Sequence, residues 1–126
     1  YGLPAEIRPG LIHKRGALAA ARQPNNADSD SSSGSQFFLV LGNRYLAEEL
    51  DRVAERNAHM GTPVTYTAEQ RKEYALVGGA PHLDGAYTVF GQVVEGLDVI
   101  DAIALAPCDA RDRPLVDIRA FMRILE

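Results

Sequence analysis

Two runs restrict this chain more than any others. They are Ser33-Gly34-Ser35-Gln36-Phe37-Phe38-Leu39-Val40 and Leu83-Asp84-Gly85-Ala86-Tyr87-Thr88-Val89-Phe90-Gly91. Side chains alternate faces along a strand. Gln36, Phe38 and Val40 then share one face of the first run, and Phe37, Leu39 and Leu41 share the other. The Leu39 face reads as ordinary core. A glutamine amide beside an aromatic ring on the opposite face reads as the lining of a pocket, apolar with one directed polar group. In the second run Asp84-Gly85 is a tight-turn dipeptide, and a strand over 87–94 follows it.

Length and charge narrow the class. The 126 residues suit one domain, and 46% apolar residues are enough for a core. A net charge of −4 argues against a nucleic-acid partner, because no basic stripe is present to release phosphate counterions. Arg8, Arg15, Arg22, Arg44, Arg111, Arg113 and Arg119 are scattered singly and read as solvated surface. The single cysteine, Cys108, excludes an internal disulfide, and its neighbour Asp109 disfavours a thiolate nucleophile. No apolar run is long enough to span a membrane, and no charged-then-apolar leader occurs. The chain opens on Tyr1, so a signal or anchor is expected only upstream of it, and cytoplasmic and periplasmic locations both stay open.

Along the chain, Pro4 makes 1–7 an edge strand or an irregular entry, and Pro9-Gly10 is a turn. The segment 12–21 suits a strand, although its alanines favour a helix by propensity. The polar segment 23–33 is a surface loop. Its Asp28-x-Asp30-x-Ser32 pattern fails as a calcium loop, because the sixth and twelfth positions hold Ser33 and Leu39 instead of Gly and Glu. Leu46, Leu50, Val53 and Ala54 recur at helical spacing. Thr67-Ala68-Glu69-Gln70 is a capping box that opens a second short helix, ended by Gly78-Gly79. Leu97, Ile100, Ile103 and Ala104 mark a helix around 96–105, stopped by Pro107. The alternation over 117–125 predicts a closing strand. Strands outnumber helices and no βαβ rhythm appears, so the expected class is mainly β, an antiparallel barrel fragment. His13, His59 and His82 lie too far apart in sequence to mark a metal site, and Gly78-Gly79 lacks the lysine and spacing of a phosphate loop.

Gly-Ser-Gln-Phe-Phe at 34–38, Leu-Asp-Gly at 83–85, Val-Phe-Gly at 89–91 and Val-Val-Glu-Gly-Leu-Asp-Val-Ile at 93–100 occur in that order. Together they resemble the second-half signature of the cyclophilin-type peptidyl-prolyl isomerases. Gly16-Ala17-Leu18-Ala19-Ala20-Ala21 is similar to the small-residue strand that precedes it. The resemblance covers 3–42 and 81–126. It implies a cyclophilin-like antiparallel barrel over 1–126, incomplete at its N-terminal side, with 43–79 inserted where family members commonly have a short loop. That insertion reads either as a lid beside the site or as a solvated helical decoration.

By the same resemblance, Gln36 orients the peptide and the catalytic arginine. Phe38 and Leu83 form the proline pocket, and His82 and Tyr87 stand where the family often has Trp and His. Ala21, Arg22 and Gln23 match the edge where substrate pairs through backbone groups. Arg22 replaces a common Asn, and strand geometry points it to the pocket rim. The family's Phe-His-Arg segment and the Phe-Met-x-Gln-Gly-Asp that follows it are absent between Tyr1 and Glu126. The chain therefore reads as starting in mid-domain, with the charged donor outside it.

The implied activity is rotation of X-Pro bonds in proline-containing peptides or unfolded protein segments, which calls for no metal, nucleophile or redox cofactor. The alternatives are a non-catalytic proline-peptide binding module, or an inactive fragment that needs a first half. Open sheet edges predict a homodimer, a strand-swapped assembly or a partly open sheet.

Overall fold

The alanines of 17–20 form a strand despite their helical propensity, because burial decides the matter. A computed structural model describes residues 1–22 and 31–125. In it β2 (Ala17–Ala20) is the central strand of a three-stranded antiparallel sheet, with β4 (Phe37–Leu39) and β5 (Val89–Gln92) on its two sides. Ala17, Ala19 and Ala20 are buried. A bulge between Leu18 and Ala19 breaks the register against β5. A separate two-stranded sheet pairs β1 (Gly2–Pro4) with β3 (Ser31–Ser33), also antiparallel. Neither sheet closes on itself.

The strand expected over 12–21 is thus shorter. Residues before Ala17 turn at Gly16, whose φ is +91°, and only Lys14 makes a bridge, to Gly79. The strand expected over 87–94 narrows to β5 for a similar reason, since pairing with β2 covers only that stretch.

The chain divides into two compact units, Tyr1–Glu95 and Gly96–Glu126. The first unit holds both sheets and two helices, α1 (Ala47–His59) and α2 (Ala68–Leu76). α1 buries Leu50 and Asn57 and half-buries Val53 and Ala54, so the apolar stripe is real. Leu46 falls outside it. It precedes the first turn and is 69% exposed, and the Glu49 carboxylate accepts its backbone N–H at 3.2 Å. The capping box of α2 is present: Thr67 Oγ1 accepts from the Gln70 amide at 3.2 Å, and Gln70 Oε1 accepts from the Thr67 amide at 3.0 Å.

Two apolar cores fill this unit. Ala17, Ala19, Val40, Ala80 and Val89 make the first, with Phe38 and Leu83 packed against it. Ile12, Leu50, Tyr66 and Tyr74 make the second. The Val40 face of β4 is therefore the core face. Phe37, expected inside with Leu39, is 44% exposed, and Leu39 is only half-buried. The inward set is the Val40 one and not the expected Leu39 one, because period-two patterning with apolar residues on both faces carries no inward label.

The second unit contains α3 (Leu97–Ala104) and a turn in which Cys108 bridges to Pro114. No strand forms over 117–125, where Phe121 is 92% and Ile124 is 94% exposed. A strand requires a ladder partner for its N–H and C=O groups, and among the described residues none pairs with this segment.

Candidate functional site

Phe38 sits at the centre of an aromatic cluster. β4 places it opposite Ala19 of β2, whose methyl leaves room for a large neighbour. The His13 ring stacks on it, with centroids 6.2 Å apart and planes 13° from parallel. Tyr87 stands edge-on to Phe38 at 5.7 Å and to His13 at 6.5 Å, a favourable aromatic geometry. Leu83, from the 3₁₀ turn Pro81–Leu83, packs on the same core. The Arg22 guanidinium lies 5.9 Å from the centre of the Tyr87 ring, and its Nη1 donates to the Ala86 carbonyl.

The expected site residues do not all meet. Phe38, Leu83, Tyr87 and Arg22 come together. His82, on the same turn as Leu83, is exposed. Gln36 is exposed too, and its backbone N–H donates to Ser33 Oγ at 3.0 Å. It lines a separate cavity of about 410 Å³ with Leu3, Pro4, Phe37 and Phe90, and Phe38 is not among the lining residues. Both backbone groups of Ala21 are in use: its N–H donates to the Gln36 carbonyl at 3.0 Å, and its carbonyl accepts from Ser33 at 2.8 Å. Gln23 lies outside the described residues, as do Asp28 and Asp30 of the loop weighed for calcium. Among the described residues no group of three or more His, Cys, Asp and Glu side chains is arranged to hold a metal ion.

Beneath the cluster lies a polar hub that the sequence did not announce. Asp84, read as one half of a turn, is buried. Its Oδ1 accepts from the His13 backbone N–H at 2.8 Å and from His13 Nδ1 at 2.7 Å. Its Oδ2 accepts from the Tyr66 hydroxyl at 2.6 Å and the Tyr74 hydroxyl at 2.5 Å. With a carboxylate as acceptor, the proton sits on Nδ1, and His13 Nε2 has no hydrogen-bond partner among the described residues. Burial, reinforced by the neighbouring Asp84 carboxylate, pushes both tyrosine hydroxyls well above their ordinary range. Asn57 of α1 donates to the Pro81 carbonyl at 3.0 Å, so both helices are tied to the turn that carries Leu83. No local motif marks this hub, since its donors come from separate stretches of chain.

A β-rich domain with a small aromatic site beside its sheet is the class that fold and geometry define. A family model for cyclophilin type peptidyl-prolyl cis-trans isomerases matches residues 1–121. The chain belongs to the cyclophilin-type peptidyl-prolyl cis-trans isomerase family. It is 39% identical over 120 residues to a protein of Staphylococcus saprophyticus named as a peptidyl-prolyl cis-trans isomerase, a match covering 94% of this chain and 54% of that one. It is 37% identical over 117 residues to a protein of Streptococcus pyogenes named as a bifunctional phosphatase/peptidyl-prolyl cis-trans isomerase, covering 90% of this chain and 22% of the relative. The chain thus spans about half the length, or less, of these relatives.

Proposed function

We propose that this chain is a peptidyl-prolyl cis-trans isomerase domain that rotates X-Pro bonds in peptides and unfolded protein segments. The observation that carries the reading is the edge-on contact of Phe38 with Tyr87, with Phe38 and Leu83 packed on one apolar core, in a chain of this family. The family model runs across the boundary between the two units. That supports treating 1–126 as one cyclophilin-like domain, an incomplete antiparallel barrel with 43–79 inserted.

The chemistry asks little of the protein beyond placement. Resonance gives the peptide bond a rotational barrier of roughly 18–20 kcal/mol, and uncatalysed X-Pro exchange takes on the order of tens to hundreds of seconds. Phe38 and Leu83 hold the proline ring, which fixes the bond that twists. Gln36, which the family resemblance gives an orienting role, lies on a separate cavity, so peptide that reaches both must extend from Phe38 toward that cavity. A donor aimed at the proline nitrogen acts only once resonance is lost and a lone pair has formed, so it binds the twisted state selectively and raises the rate. Each tenfold gain corresponds to about 1.4 kcal/mol, so one charged hydrogen bond supplies roughly a hundredfold.

A second reading is a binding module that holds proline segments without turning them over. What favours it is the occupation of Arg22, the cation at the cluster, by the Ala86 carbonyl and the Tyr87 ring. Exchange NMR on an Ala-Pro peptide separates the two. Cis-trans exchange accelerated by the full-length protein that carries this chain, and lost there in Phe38→Ala, is the expected result. Peptide-induced shifts without acceleration favour the binder, and no acceleration by either the chain or the full-length protein overturns the isomerase.

A further inference from the structure

The proposed site carries one charged side chain whose task the isomerase reading leaves open. Arg22 follows Ala21 directly, and its guanidinium is anchored twice, by the Ala86 carbonyl and by the face of the Tyr87 ring. Tyr87 in turn stands edge-on to Phe38. A positive charge therefore sits one ring away from Phe38.

Anchoring matters because a long flexible side chain loses rotamer entropy when it grips a ligand. A guanidinium already held in place loses less. The Ala86 carbonyl takes one of its five N–H donors, and the planar fork suits a carboxylate. Among the described residues no carboxylate is paired with Arg22. Asp84, two residues from Ala86, is buried and committed to His13, Tyr66 and Tyr74.

We propose that Arg22 is a specificity-determining residue that favours substrates carrying Asp or Glu within two residues of the target proline. The inference rests on the isomerase reading and adds to it a preference that the apolar pocket alone does not supply.

The test is exchange NMR with the full-length protein that carries this chain, and matched peptides that place Glu, Ala or Lys one or two residues before or after the proline. Better-placed Glu peptides are expected to exceed their Lys counterparts in kcat/KM by roughly two- to fivefold, the scale of one partly exposed ion pair. In Arg22→Gln the ratio falls to about one, and in Arg22→Glu it inverts. Raising salt to about 0.5 M shrinks the wild-type ratio. That measurement stands even if the variants fail to fold. Acceleration of Ala-Pro without a Glu preference overturns the Arg22 assignment and leaves the isomerase intact. A preference that survives Arg22→Gln, or ignores salt, overturns it equally. If no peptide is accelerated, the isomerase reading falls, and the Glu-to-Lys ratio of dissociation constants from the same titrations decides the role of Arg22.

Discussion

Asp84 shows how much a single buried carboxylate can organise. It gathers His13, Tyr66 and Tyr74 beneath Phe38, and each partner is a donor that burial would otherwise leave unsatisfied at a cost of about 1–3 kcal/mol. The hub also fixes a pH dependence. Both tyrosine hydroxyls are raised above their ordinary value, by burial first and by Asp84 in addition. Unfolded tyrosines lose their protons at about pH 10, whereas the folded ones keep theirs. The folded state then binds more protons than the unfolded state, so stability is fully present below about pH 10 and declines as pH rises beyond it. The expected slope reaches about 1.4 kcal/mol per pH unit for each tyrosine. Urea titrations at stepped alkaline pH measure it, and Tyr66→Phe with Tyr74→Phe should flatten the decline. An unchanged slope in the double variant would contradict the assignment.

The helical segment was the most legible element, and its attachment the least. The Leu50, Val53 and Ala54 stripe and the Thr67–Gln70 capping box were readable because both are local patterns. β2 was not readable from composition: alanine prefers helix, and only packing between two strands overrides that preference. The alternation over 117–125 misled in the opposite direction, because patterning marks a surface fit for pairing without supplying the partner. The return from α2 to the site depends on close backbone contacts that no pattern displays. Gly79 exchanges hydrogen bonds with Asn43, its N–H donating at 2.9 Å and its carbonyl accepting at 3.1 Å. A Cβ at Gly79 would collide with the His13 carbonyl. Since that carbonyl belongs to the residue that stacks on Phe38, the collision pushes at the site as well as the fold. Gly79→Ala is expected to cost about 2–3 kcal/mol and to weaken peptide binding, read by denaturation and peptide titration. Wild-type stability in that variant would refute the close approach.

At the scale of the whole molecule, the family was legible from motifs in order, while the closure of the sheet was not. Pairing depends on distant strands, and a sequence pattern names no partner. The three-stranded sheet ends on β4 and β5, neither of which pairs with a further strand among the described residues, and Phe37 and Phe90 on them are exposed. An open apolar edge is a template for another strand. Stability leaves little room to ignore it, since net values are only about 5–15 kcal/mol. We therefore expect the isolated chain to self-associate through these edges, as a dimer or a strand-swapped pair. Sedimentation equilibrium should show a mass that rises with concentration across the micromolar range. Phe90→Lys places a charge on an exposed edge position and should move the equilibrium toward the monomer without unfolding the chain, which circular dichroism checks. A monomer at every concentration would mean that the edges are protected within one chain, and the dimer expectation would fall.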